Sequence, residues 1–211
     1  HGFAAIGFDK DVAKGALLES SASPGTTLKG VGSLAEMVSG LKTPRKLMML
    51  VPAGPIVDAV INDLLPLLEP GDIVIDGGNS HFPDTLKRIN FLQDKKIHFM
   101  GMGVSGGEQG ARTGPSIMPG GDMEAWAEVK PILEAVAAKV NNEPCVAYMG
   151  KNAAGHYVKM VHNGIEYGIM QMISEVYDFM KRGLDLNNDE LHSVFKKWNE
   201  GELQSFLVEI T

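Results

Sequence analysis

Residues 159–167 read Lys-Met-Val-His-Asn-Gly-Ile-Glu-Tyr. Lys159, His162, Asn163 and Glu166 stand at i, i+3, i+4 and i+7, offsets that share one face of an α-helix. An amine able to act as a base, an imidazole, an amide and a carboxylate then project in one direction. Two turns separate the amine from the carboxylate, so the pair could flank a small substrate and move protons on it. A solvated Lys/Glu stripe has the same spacing, and structural charge pairs outnumber catalytic ones. The flanking Val158, Val161, Ile165, Ile169, Met172 and Ile173 make much of the helix apolar. A polar face on such a helix is expected to line a cleft.

Other elements must hold that face in place, and the chain before it alternates strand and helix patterns. Strands are expected over 3–8, 47–51, 72–75, 97–100 and 145–149. Helices are expected over about 10–18, 34–41, 55–68, 83–93 and 123–139, the second opened by Ser33 and Glu36 at capping-box spacing. After Lys151 the pattern is helical throughout, over about 153–182, 188–198 and 202–210. The alternation predicts an α/β, doubly wound parallel sheet over residues 1–151. The switch predicts a boundary there, with 152–211 as the beginning of an all-α domain. The start at His1 without Met and the stop at Thr211 within a helical pattern suggest a fragment.

Ligands of doubly wound sheets bind at the carboxyl ends of the strands. Asp76-Gly77-Gly78-Asn79-Ser80 and Gly103-Val104-Ser105-Gly106-Gly107 both follow strand patterns. Each is either a tight connection or a place where backbone N–H groups approach an anion. The run 105–121 reads as a Gly-rich loop of a length usually tied to function. Asp9 follows the first visible strand. It is either a solvated helix cap or the acidic residue that bonds ribose hydroxyls at the end of a second strand. In the latter case the first strand and its glycine turn lie upstream of His1. His1, His81, His98, His156, His192 and Cys145 show no metal-ligand spacing, and no metal is expected. No G-x-S-x-G elbow or P-loop is present.

The chain has 211 residues with 44% hydrophobic content, ordinary for a globular protein. A net charge of −7 argues against nucleic-acid or membrane-surface partners. The single cysteine excludes an intrachain disulfide and is consistent with a reducing compartment. No apolar run reaches the roughly 18 residues of a membrane span.

Residues 103–121 (GVSGGEQGARTGPSIMPGG), 155–167 (GHYVKMVHNGIEY), 76–80 (DGGNS) and 202–211 (ELQSFLVEIT) resemble signature segments of the decarboxylating 6-phosphogluconate dehydrogenases. The wider β-hydroxyacid dehydrogenase superfamily shares the Ser-Gly-Gly turn and the Lys-x-x-x-Asn spacing. The resemblance implies a Rossmann-like NAD(P)-binding domain with its first strand missing, in a cytoplasmic homodimeric enzyme of the pentose phosphate pathway. It implies oxidation of 6-phosphogluconate at carbon 3, loss of carbon dioxide and release of ribulose 5-phosphate. Lys159 is then the general base and Glu166 the acid. A lysine base near neutral pH needs its pKa lowered by burial, which the apolar helix is expected to provide. Asn79, Ser105, Gly106, Gly107, His162 and Asn163 are implied to hold the carboxylate and hydroxyls, and Tyr167 the phosphate. Asp9, Lys10, Val51, Ala53 and Asn79 are implied to hold the cofactor.

The chain departs from the family's usual Asn-Arg-Thr at Asp9-Lys10-Asp11, and from its frequent Gly at Ala153. Lys10 keeps the charge of the family's arginine without its planar fork. Asp9 adds a negative charge where the 2′-phosphate of NADP would lie. NADP is the family default, and Asp9 points to NAD. Two further functions compete with this one. One is a β-hydroxyacid dehydrogenase for a non-phosphorylated acid. The other is a non-catalytic binding protein on the same fold, which would have no need of Lys159 and Glu166.

Overall fold

The computed structural model describes residues 2–211; His1, one of the histidines weighed as metal ligands, lies outside them. The chain divides into two compact units, His1–Met160 and Val161–Thr211.

The first unit runs β1 (Ala5–Phe8), α1 (Val12–Ser20), β2 (Leu28–Val31), α2 (Leu34–Ser39), β3 (Lys46–Met49), α3 (Pro55–Leu64), β4 (Ile73–Asp76), α4 (Phe82–Gln93), β5 (His98–Ser105), α5 (Gly107–Thr113), β6 (Ser116–Gly120) and α6 (Met123–Val136). A two-residue hairpin, β7 (Lys139–Val140) with β8 (Glu143–Pro144), follows. β3, β4 and β5 are parallel neighbours. β4 is buried on both faces, as its unbroken apolar run Ile73-Val74-Ile75 requires. Val74 points into a cluster with Leu47, Met49, Val57, Ile61, Leu64, Leu92 and Phe99, which α3 and α4 cover. Ile73 and Ile75 point into the opposite cluster with Met100, Met102, Trp126, Val129 and Leu133, which α6 covers. Each fully buried side chain of this kind contributes about 1.5–3 kcal/mol by leaving water.

Helix starts follow local chemistry. Ser33 caps α2 by accepting from the Glu36 N–H, but Glu36 reaches the Gly32 N–H rather than closing the capping box on Ser33. α3 begins with Pro55 after Gly54, whose φ of 96° suits glycine. At the opposite end of the strands Asp72 is buried. It accepts from the backbone N–H of Arg45 (2.7 Å) and Glu69 (2.9 Å) and from the Arg45 guanidinium (2.9 Å).

The sheet differs from the expected one in four ways. It is in two pieces, β1 with β2 and β3 through β6, and no ladder joins them among the described residues. β2 was not foreseen, because four residues broken by Lys29 and Gly30 carry little strand pattern; pairing with β1 makes the strand. The run 105–121 is not a loop. It holds α5 and β6, and β6 pairs antiparallel with β5. The connection 106–115 is shorter than the dozen or so residues a parallel crossover needs, so the chain doubles back. The strand expected at 145–149 is reduced to isolated bridges, Ile117 with Val146 and Gly120 with Gly150. Pro119 in the middle of β6 accepts from Met149 but has no N–H to return.

Helix α7 (Ala154–Asp178) runs through the division between the units and ends in a π-turn, Phe179–Gly183. The second unit continues with α8 (Asn188–Asn199) and α9 (Phe206–Glu209). A full capping box of Asn187 and Glu190 opens α8. Met180, Leu191, Phe195 and Val208 form its core, with Ile173 and Trp198 against them. The helix expected over 202–210 starts only at Phe206, where Ser205 caps it by accepting from the Val208 N–H.

Candidate active site

The first turn of α7 lies directly on the backbones of β5 and β6. A Cβ on Gly155 would overlap the carbonyl oxygens of Gly101 and Met118 and the nitrogen of Gly120. One turn on, a Cβ on Gly103 would overlap the Cβ of Lys159. Glycine at these points lets a helix carrying a lysine sit in backbone contact with the carboxyl half of β5. Lys159 is only 7% exposed as a result. The expected source of that burial is corrected here. Val161, Ile165, Ile169 and Met172 are exposed, so the sheet backbone, not the helix's own apolar flank, covers the lysine stem.

The turn after β4 is built around Asp76, which is fully buried. One oxygen accepts from the Gly78 N–H (3.0 Å) and the other from the Ser80 hydroxyl (2.6 Å), with the Arg88 guanidinium 3.8 Å away. This leaves Asn79 exposed at the tip. Gly78 packs on the carbonyl of Val51, where an added Cβ would stand 2.9 Å from the oxygen. Val51 and Asn79 are thereby brought to one place, with Ala53 in the same loop after β3. Arg88 also bonds Asp58 (2.7 and 3.0 Å) and the Gly54 carbonyl (3.0 Å), and its guanidinium holds Asp58 below the usual carboxylate range. Ser105 ends β5, Gly106 precedes α5 and Gly107 opens it.

Asp9 lies at the carboxyl end of β1. Its two oxygens accept from the Asp11 N–H (2.9 Å) and the Lys14 ammonium (3.2 Å), which hold it below the usual carboxylate range. Asp11, not Asp9, caps α1, so the helix-cap alternative for Asp9 fails. Lys10 beside it is exposed.

Within the second unit, His162 Nδ1 lies 3.3 Å from Asn163 Oδ1 and 3.4 Å from Glu166 Oε2. Tyr167 is 70% exposed. Among the described residues no three His, Cys, Asp or Glu side chains cluster as metal ligands, and no helix is long and apolar enough to cross a membrane.

Sequence reasoning passed over Thr85, Arg88 and the glycine contacts under α7, and treated His156 only as a metal candidate. One signal was available. His156 stands three residues before Lys159, on the same helical face.

The family model for the NAD binding domain of 6-phosphogluconate dehydrogenase matches residues 1–150, and that for the C-terminal domain matches 155–211. The chain belongs to the 6-phosphogluconate dehydrogenase family. A decarboxylating 6-phosphogluconate dehydrogenase of Aggregatibacter actinomycetemcomitans is 52% identical over 100% of this chain and 44% of its own length. One of Schizosaccharomyces pombe is 60% identical over 89% of this chain and 38% of its own. The 6-phosphogluconate dehydrogenase of Plasmodium falciparum, solved in its apo form, with its cofactor NADP+ and with its substrate 6-phosphogluconate, superposes with a TM-score of 0.94. It is 45% identical and covers 99% of this chain and 45% of its own. The chain thus spans less than half the length of these family members. Its fold is the family's Rossmann-like sheet followed by a helical region.

Proposed function

We propose that the protein to which this chain belongs converts 6-phosphogluconate to ribulose 5-phosphate and carbon dioxide with reduction of NADP or NAD. The observation that carries this is Lys159, buried on the carboxyl half of β5 by backbone contact, in a chain matched along its length by the family. Lys159 takes the proton of the 3-hydroxyl, then returns it to the carbonyl oxygen as carbon dioxide departs. Glu166, two turns along α7, protonates carbon 1 of the enediol. Asn79, Ser105, Gly106, Gly107, His162 and Asn163 bind the carboxylate and hydroxyls, and Tyr167 the phosphate.

Residues at the strand ends fit a dinucleotide. Asp9 offers an accessible carboxylate at the carboxyl end of β1, and the 51–53 loop and Asn79 meet after β3 and β4. Asp9, Lys10, Val51, Ala53 and Asn79 would hold it. A nicotinamide held there would supply the hydride acceptor for oxidation at carbon 3. Residues 1–151 form the cofactor domain and 152–211 begin the substrate domain. The homodimer and the cytoplasmic location rest on the family likeness.

The test is the full chain supplied with 6-phosphogluconate and each cofactor. Coupled formation of NAD(P)H and release of carbon dioxide are expected. Turnover of small non-phosphorylated 3-hydroxy acids but not of 6-phosphogluconate would overturn the assignment.

A further inference from the structure

We propose that Thr85 and His156 form a positioning pair that fixes the rotation of helix α7 and so the placement of Lys159. The proposal rests on Lys159 acting as the base.

His156 lies in the first turn of α7 and is 2% exposed; Thr85 lies in α4 and is fully buried. Thr85 Oγ1 and His156 Nδ1 are 2.7 Å apart. The imidazole fills the space over Gly101, where an added Cβ would stand 2.8 Å from Nδ1, and the backbone of Asp76 and Gly78 flanks it. Its Nε2 is buried, with the Asp76 and Gly78 backbone as the polar groups facing the ring. An apolar side chain would fill this space but leave the buried Thr85 hydroxyl without its partner, so packing alone does not explain a histidine.

Direction does explain it. The contacts of Gly155 with Gly101, Met118 and Gly120 set how closely the helix approaches, but van der Waals contact does not define an angle. A hydrogen bond to a neighbouring helix does. His156 and Lys159 share a face one turn apart. A rotation of about 10° moves a side-chain tip ~5–6 Å from the axis by about 1 Å, and a misplacement of that size can cost ~100-fold in rate. Burial holds the ring neutral against the upward pull of the Asp76 carboxylate and of the Asp76 and Gly78 backbone, with Arg88 adding to the downward push. The neutral ring keeps one acceptor and one donor.

The full chain is assayed as wild type, Thr85→Val and Thr85→Ser. Thr85→Val, close in shape, is expected to lower kcat about tenfold or more with KM for 6-phosphogluconate within about twofold, and Thr85→Ser to restore most of it. A merely structural role predicts a lower Tm without this split and without rescue. Unchanged kcat in Thr85→Val, or loss in Thr85→Ser that tracks Tm, overturns the pair. If Thr85→Val does not melt cooperatively, His156→Asn, which keeps an acceptor near Nδ1, is compared with His156→Leu; equal kcat in the two overturns it. If wild type does not turn over 6-phosphogluconate, the parent assignment has failed. The pair is then judged by acetic anhydride labelling of Lys159 across pH. A profile shifted in Thr85→Val but not in Thr85→Ser supports it, and identical profiles overturn it.

Discussion

Lys159 is the residue on which the proposed chemistry turns. In the full chain, Lys159→Ala is expected to abolish hydride transfer while the fold survives, because it removes the amine that takes the hydroxyl proton and leaves a small apolar side chain in its place. Pre-steady-state formation of NAD(P)H checks this, and near-normal turnover would refute the base assignment. Glu166→Ala is expected to impair the later proton transfer by about 10²–10⁴-fold, and should leave a burst of reduced cofactor if that step becomes limiting. Asp9 carries a separate prediction. Both of its oxygens are engaged by Asp11 and Lys14, and those bonds keep it ionised. NADP selectivity is therefore expected to be weaker than the family norm, with NAD accepted, and Asp9→Asn is expected to raise the NADP/NAD ratio of kcat/KM. A strong NADP preference in the unaltered protein would mean that Lys10 and other cations outweigh Asp9. The residues of the i, i+3, i+4, i+7 set were legible because helical spacing is local. Thr85 was not, since it meets His156 only through a contact 71 positions apart.

At the scale of elements, the α7 contact with β5 and β6 is the joint that matters. Gly155→Ala would press a methyl into the backbone of Gly101, Met118 and Gly120. Overpacking of this kind costs about 1–3 kcal/mol or more. A lower Tm is expected, with a fall in kcat exceeding that of an equally destabilising change elsewhere. An unaffected kcat would show that the site tolerates movement of the helix. Asp72 ties the amino-terminal ends of β3 and β4 together. Burial alone would raise its pKa, but the N–H groups of Glu69 and Arg45 and the Arg45 guanidinium outweigh it and hold it below the ordinary value. A depressed folded-state pKa contributes stability that is present above the unfolded value, about 3.9, and is lost as pH falls through the folded one. Asp72→Asn is thus expected to lower Tm at pH 7, because it removes the carboxylate shared by the Arg45 guanidinium and two backbone N–H groups, and to flatten the fall in Tm below about pH 4. An acid limb as steep as wild type would assign acid lability to other carboxylates.

At the scale of the whole chain, β1 and β3 each keep an unpaired edge among the described residues. The second unit leaves Ile165, Met172 and Phe179 about 60% exposed. Open edges and apolar patches promote association. Residues 1–211 expressed alone are expected to self-associate and to lack dehydrogenase activity, checked by light scattering after size exclusion. A monomeric, cooperatively melting chain that binds NAD(P) would refute this. The sequence by itself determined the α/β alternation, the later helices and the polar stripe around Lys159. Periodicity and capping act over a few residues and need no distant partner. Only the tertiary structure decided that 105–121 folds into α5 and β6, that 145–149 stays a pair of bridges, and that Lys159 is buried by Gly103. These outcomes depend on which backbones can approach one another, and that is settled by residues far apart in the chain.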